Sequence, residues 1–329
     1  MRRAAGLAAN LGLAAGFAAA AGFGVGCASA PHLDPQYQPS ASVLEVVATL
    51  RKHVPDDTYR FEPARDFTGR NVYRSSLIRL ESIERVHADA LRSGHMDDVI
   101  AFAKGRALER LRAYDLAAAS YRRAAEREGE LKGEALRSAA LCDGLGEAAA
   151  IGYEPDRPVL PGQPVVPPPA DPDAAIADFD RRVALLESLG EEAGQTQYRF
   201  VVAEEIERAD AARARYFESR RKLAPDGDVR ALAEVQRLVT RHRESKNANQ
   251  HLLELADLYA ALAAEYVEAR PPESLWFDPP VFQEFVDAAS KLYEAVANQD
   301  GTPEKLEAAR RLEAFLAFTL RVDRDRFSE

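Results

Sequence analysis

From Ser40 onward the apolar residues recur at intervals of three and four, which is the spacing of amphipathic helices rather than the alternation of strands. A first helix is predicted after Ser42, where Glu45 completes a capping box ahead of Val46, Val47 and Leu50, and it stops near Pro55. The segment VPDDTYRFEPARDFTGRN reads as a loop from its Pro, Asp and Gly content, with Tyr59, Phe61 and Phe67 pinning it to the body. Leu77, Leu80, Ile83 and Val86 then form one apolar stripe, and a second helix is expected to carry it.

The next stretch, AFAKGRALERLRAYDLAAASYRRAAERE, holds a more specific pattern. Gly105, Leu108, Tyr114, Ala117, Tyr121 and Ala124 follow the order small, large, aromatic, small, aromatic, small. Two antiparallel helices approach closely only where small residues face each other, and larger side chains then fill the grooves on either side. This spacing resembles the tetratricopeptide repeat, with Gly129 standing where the repeat often carries a helix-ending proline. The resemblance implies a further helix, supplied by EALRSAALCDGLGEAAAIG, in which Cys142 takes a packed position.

After that helix the prolines of YEPDRPVLPGQPVVPPPADPD deny helix or central strand, and the segment reads as a semi-rigid spacer or as an exposed ligand for a proline-binding module. Asp171 and Pro172 open a long helical stretch with Val202, Ala209, Tyr216 and Leu223 every seven residues. APDGD at 224–228 makes a turn, and Val229, Leu232, Val235 and Val239 line the returning helix. A second repeat-like pattern places Leu255, Ala256 and Tyr259 on one helix and Phe285, Ala288, Leu292 and Ala295 on the next. The insertion VEARPPESLWFDPPVFQ separates the two. Thr302 and Pro303 cap a final helix carrying Leu306, Leu312, Phe315, Leu316 and Leu320.

The expected architecture is therefore all-α, an α-solenoid-like array of antiparallel helical hairpins with tetratricopeptide-like repeats. Its expected divisions are a signal peptide (1–26), a flexible tether (27–40), an N-terminal helical half (41–152), a proline-rich linker (153–172) and a C-terminal helical half with a long hairpin (173–329).

Composition narrows the function classes. Of the 329 residues 47% are hydrophobic, enough for a substantial core. The formal charge is −10, and Lys and Arg are interspersed with Glu and Asp, which argues against nucleic acid as a partner because phosphate binding needs a concentrated basic surface. Cys27 and Cys142 are the two cysteines, too few for a disulfide framework or a cysteine-ligated zinc site.

Arg2 and Arg3 followed by an uncharged Ala, Gly and Leu run have the form of a secretory signal. Two processing sites compete. Ala28, Ser29 and Ala30 before Pro31 fit ordinary signal peptidase, whereas Gly24, Val25, Gly26 and Cys27 resemble the bacterial lipobox, with Gly24 where that motif favours Leu. The lipobox resemblance implies diacylated Cys27 as the mature N-terminus, attachment to a membrane through the lipid and, with Ala28 following, an outer-membrane location facing the periplasm. Ordinary cleavage implies a soluble periplasmic or secreted protein.

Catalytic and cofactor motifs are sparse. The sequence has no GxSxG, HExxH, CxxC or phosphate-cradling glycine loop, and no cofactor or metal is expected. His87, Asp89, His95, Asp97 and Asp98 cluster in sequence, but Gly94 breaks the helix between them and a solvated helix end is expected. His242 and His251 flank the polar RESKNAN, and the acidic runs AEEIERAD and LGEEAG read as solvated faces laced with i,i+4 pairs. Trp276, with Phe277 and Phe282, either anchors a protein interface or caps a local core. The leading expectation is a scaffold or adaptor that binds protein partners in a cell-envelope complex. The alternatives are an envelope hydrolase with its site in a helical groove and a non-binding structural spacer.

Overall fold

A computed structural model describes residues 71–94, 96–155 and 167–326, with Leu44 and Ala48 as isolated helical positions. The signal peptide, the tether, Cys27, most of the first predicted helix, the loop before Asn71, His95 and the middle of the proline-rich segment lie outside the described residues. The described chain is all-α, with ten helices and no strand among the described residues. They are α1 (Val72–Ser93), α2 (Asp97–Arg110), α3 (Tyr114–Ala124), α4 (Leu131–Ala150), α5 (Pro172–Ala193), α6 (Tyr198–Arg220), α7 (Gly227–Arg241), α8 (Ala248–Ala269), α9 (Pro279–Ala297) and α10 (Glu304–Arg326). Each packs chiefly on its neighbours in the chain, so the molecule is an array of antiparallel hairpins.

Local chemistry sets where the helices start and turn. Asn71 caps α1, its Oδ1 accepting from the amides of Tyr73 at 2.9 Å and Arg74 at 3.4 Å. Asp171 does the same for α5, accepting from Asp173 N at 3.0 Å, and Pro172 occupies the first turn, where its missing amide costs nothing. Between α6 and α7 the chain doubles back so tightly that a Cβ on Gly227 would lie 1.9 Å from the carbonyl oxygen of Arg221. Only glycine fits there.

The core forms a chain of clusters rather than one centre. The largest joins Tyr114, Ala117 and Tyr121 of α3 and Cys142 and Leu145 of α4 to Leu186 and Leu189 of α5 and Val201 and Val202 of α6. Packing therefore runs without a break across the proline-rich segment. A second cluster knits α6 and α7 to α8 through Ala214, Ala231, Val235, Leu238 and Leu258, and a third closes α8, α9 and α10 around Ala256, Phe282, Tyr293 and Phe315.

Several expected faces are rotated. In α1 Leu80 and Ile83 are buried but Val86 is exposed, because the helix bends at His87 (φ −118°, ψ 23°) and brings Leu91 inward instead. The long stretch after Pro172 is two helices, broken at Gly194–Gln197. Val202, Ala209 and Tyr216 are buried as expected, whereas Leu223 falls in a short 3-10 turn and is exposed. In α7 the buried positions are Ala231, Val235 and Leu238, and Val229 faces solvent. In α9 the core face is Phe282, Val286, Ala289, Tyr293 and Val296. Phe285, Ala288 and Leu292 are thus only half-buried, and Ala295 is exposed. Thr302 does not cap α10 with its side chain, since its hydroxyl donates back to Gln299 O at 3.0 Å. Within α10, Phe315 is buried and Leu312 half-buried, while Leu306, Leu316 and Leu320 are exposed. α8 and α9 cover only the side carrying Ala308, Phe315, Thr319 and Val322.

Candidate functional site

The small and large residues at 105–124 meet between α2 and α3. Gly105, Leu108, Tyr114, Ala117, Tyr121 and Ala124 are all buried, and a Cβ on Gly105 would come within 2.6 Å of the Tyr121 ring. Tyr121 is fixed from both ends. Its hydroxyl donates to Glu109 Oε2 at 2.8 Å, and its ring meets Phe102 edge to face at 5.3 Å between centroids. The guanidinium of Arg106 lies over the rings of Phe102, Tyr121 and Tyr198, which gives this buried cation a π-lined place in the core.

Helix α6 carries the most concentrated buried charge. Its AEEIERAD run is no solvated face, for Glu205, Glu207 and Asp210 are all buried. Glu205 accepts from Arg112 Nε at 2.7 Å and Nη2 at 2.9 Å, from Tyr114 OH at 2.8 Å and from Arg182 Nη2 at 3.5 Å. Arg112 also donates to Glu154 at 2.7 Å, so one guanidinium clamps the chain leaving α4 to α6. The turn between α2 and α3 holds Arg112 at φ 61°, a left-handed conformation costing a non-glycine residue about 1–2 kcal/mol. The two charge-assisted contacts offset that cost. Burial pushes the Tyr114 hydroxyl well above its ordinary pKa, and the adjacent Glu205 carboxylate adds to the effect.

Glu204, the chain neighbour of Glu205, contacts Lys246 Nζ at 2.9 Å, Arg208 at 3.0 Å and Arg110 at 3.3 Å. Burial raises its pKa, but these three cations overcome burial and hold the carboxyl at about 2. Glu207 Oε1 accepts from Ser245 Oγ at 2.7 Å and Asn247 Nδ2 at 3.2 Å, and it lies 2.7 Å from His251 Nε2. Burial opposes a charge on His251, yet Glu207 and Glu254 outweigh it and raise the imidazole to about 9. The pairing thus favours the cationic imidazolium form of His251. Asp210 receives Arg237 at 2.9 Å, Arg241 at 3.0 Å and His242 Nε2 at 2.8 Å. The two histidines that flank RESKNAN are therefore each paired with an α6 carboxylate, and together they pin the α7–α8 loop to that helix.

That loop, α6 and the start of α10 line an open polar cleft of about 550 Å³ that includes Glu204, His242, Arg243, Lys246, Asn249 and Gln299. A second cleft, of about 580 Å³, lies beside Arg112, Asp115, Asp143 and Glu154. Ser245, which lines the first cleft, turns its hydroxyl to Glu207, as His251 turns its imidazole.

The described acidic and histidine residues at 87–98 do not converge. His87 is exposed at the bend of α1, Asp89 pairs with Arg92, Asp97 pairs with Arg127 at 2.6 Å and Asp98 accepts from Val99 N at 2.8 Å. Among the described residues no group of three or more His, Cys, Asp or Glu is placed to hold a metal ion. Cys142 is buried with a free thiol, and burial pushes its pKa well above the ordinary value.

The aromatic insertion divides into an anchor and a display. Phe277 and Phe282 are buried 5.6 Å apart between centroids, and Phe277 also meets Tyr266 at 5.7 Å. Tyr266 OH accepts from Asp278 N at 2.8 Å and donates to Asp278 O at 3.2 Å, fixing the turn that enters α9. On that fixed turn Leu275 is fully exposed and Trp276 is 82% exposed.

The fold and these surfaces define a class: an all-α array of helical hairpins with an internally paired polar interior and large apolar residues displayed at turns and on outer helix faces. No protein-family model matches the chain, and no curated protein shows a significant match to it. No helix among the described residues is long and apolar enough to cross a membrane.

Proposed function

We propose that the chain is an exported, lipid-anchored scaffold or adaptor that binds a protein partner in a cell-envelope complex through Leu275 and Trp276. The observation that carries this reading is the exposure of both residues on a turn immobilised by Tyr266, Phe277 and Phe282. A rigid, solvent-exposed Trp is costly to leave in water and loses little conformational freedom when a partner covers it, which is why Trp dominates many interface hot spots. Cys27 is the proposed lipidation site, placing the helical array in the periplasm on the outer membrane. Gly105, Leu108, Tyr114, Ala117, Tyr121 and Ala124 support reading α2 and α3 as a tetratricopeptide-like unit of the array.

Affinity purification of the membrane-anchored protein, wild type against Trp276→Ala, tests the partner. A protein recovered with the wild type and lost with the variant is the expected result. Equal recovery with both, or recovery of no partner, contradicts it. Labelling with a palmitate analogue tests the anchor, since wild type is expected to label and Cys27→Ser is not.

A further inference from the structure

The outer face of α10 shows a regularity that its packing inside the protomer does not use. Taking Glu313 as a centre, Leu306 and Leu320 stand seven residues to either side, Ala309 and Ala317 four, and Arg310 and Leu316 three. At 3.6 residues per turn all of them fall within about 60° of Glu313, on the side opposite Ala308, Phe315 and Val322. Leu306 is 75% and Leu320 69% exposed, and Ala309, Arg310, Glu313, Leu316 and Ala317 are exposed as well. Among the described residues no helix packs on this side of α10.

The stripe reads nearly the same in both directions. Turned end for end about Glu313, Leu306 of one chain falls on Leu320 of another, Ala309 on Ala317 and Arg310 on Leu316. Small residues at 309 and 317 allow the two helices to come close, and the outer leucines close over each end. The charges also complement each other. Glu313 lies at the centre, where the axis sets it against its own copy, and among the described residues the neighbouring Arg310 and Arg311 pair with Glu307 rather than with it. Arg310 is highly exposed and touches Glu307 only at 3.5 Å. In the pair, the stem of each Arg310 covers the facing Leu316 and its guanidinium reaches the facing Glu313, giving two equivalent ion pairs about the axis. A surface that complements itself in this way is what an isologous two-fold contact requires.

We infer that the outer face of α10 is a self-association surface whose occupant is a second copy of this chain, packed α10 against α10, antiparallel about an axis at Glu313. This contact is separate from Leu275 and Trp276, and the two fail independently.

The test is sedimentation equilibrium of the full chain carrying Cys27→Ser, which removes micelle formation through acyl chains. A dimer is expected at concentrations of about 100 µM or below, a range typical of a contact of moderate affinity. Leu306→Glu with Leu320→Glu is expected to give a monomer whose circular dichroism spectrum is unchanged, because both side chains lie in water in the single protomer, and whose melting temperature no longer depends on protein concentration. Arg310→Glu and Glu313→Arg are each expected to weaken the dimer about tenfold or more, and their combination is expected to restore it. Trp276→Ala is expected to leave it intact. A monomeric parent chain, a dimer that survives the two glutamates, or a charge swap that fails to restore pairing would overturn the inference.

Discussion

Gly105 faces Tyr121 so closely that a methyl group on the glycine would lie 2.6 Å from two ring carbons. The ring has nowhere to go, since its hydroxyl is bonded to Glu109 and it is fully buried. Gly105→Ala gains about 1 kcal/mol of helix propensity, but it also overpacks a rigid contact, which costs about 1–3 kcal/mol. The clash wins, so a net loss of stability is expected in urea denaturation. Gly133→Ala is the matched control, because the nearest atom a Cβ there would meet is the end of the Arg137 side chain at 3.8 Å. It is expected to stabilise by a few tenths to about 1 kcal/mol. A neutral or stabilising Gly105→Ala would show that α2 and α3 have room between them.

Glu205 is the buried acceptor for Arg112, Arg182 and Tyr114. Removing it leaves two cations around an empty place, one of them, Arg182, fully buried. Glu205→Ala is expected to cost about 3–5 kcal/mol, the range for breaking a buried ion pair by deleting one partner. Glu204→Ala removes a carboxylate at the edge of the polar cleft and is expected to cost less. Equal losses in chemical denaturation would mean that the Arg112 clamp contributes nothing particular.

The pair His251 and Glu207 makes stability depend on pH in a defined direction. His251 titrates near 9 in the folded chain against 6.5 for a free imidazole, so its contribution is complete below pH 6.5 and is lost as pH rises through 9. Glu207 lies below the ordinary carboxylate value of 4.5, so its contribution is present above that pH and is lost as pH falls. Burial opposes both shifts, and the hydrogen bonds of Ser245 and Asn247 to Glu207, with the Glu254 carboxylate 3.6 Å from His251 Nδ1, help to overcome it. Between pH 6.5 and 9 the wild type is expected to lose up to about 3 kcal/mol more than His251→Gln. Parallel stability curves for the two proteins across that window would exclude the charged pair.

Phe277 and Trp276 are neighbours with opposite expected behaviour. Phe277→Ala opens a cavity against Tyr266 and Phe282 and is expected to cost about 3–5 kcal/mol. Trp276→Ala touches little within the chain and is expected to change the melting free energy by less than about 0.5 kcal/mol. A large loss from Trp276→Ala would assign the residue to the local core.

The helical class was legible because period is a local property. Leu80, Ile83, Val202 and Tyr216 needed only their own neighbours in sequence to be placed inward, and the six residues from Gly105 to Ala124 needed two adjacent helices. What failed was non-local. The facing of α9 and α10 depends on how far each helix rotates against partners many residues away, so period alone does not show that Ala295 and Leu320 lie outward. The acidic ladder of α6 was missed for the same reason. Glu205 looks like any exposed glutamate until Arg112 and Tyr114, some ninety positions earlier, are brought onto it. Trp276 stood out in the sequence as an unusual residue, but its separation from Phe277 into display and anchor required the turn fixed by Tyr266.

The central claim is that the turn carrying Leu275 and Trp276 meets a protein partner. A photo-crosslinking residue placed at Leu275 in living cells tests this most directly, with the same residue at exposed Arg137 as the control. The account predicts one discrete adduct with a different polypeptide from position 275, absent from position 137 and lost on adding Trp276→Ala. No adduct from position 275, or the same products from both positions, would contradict it.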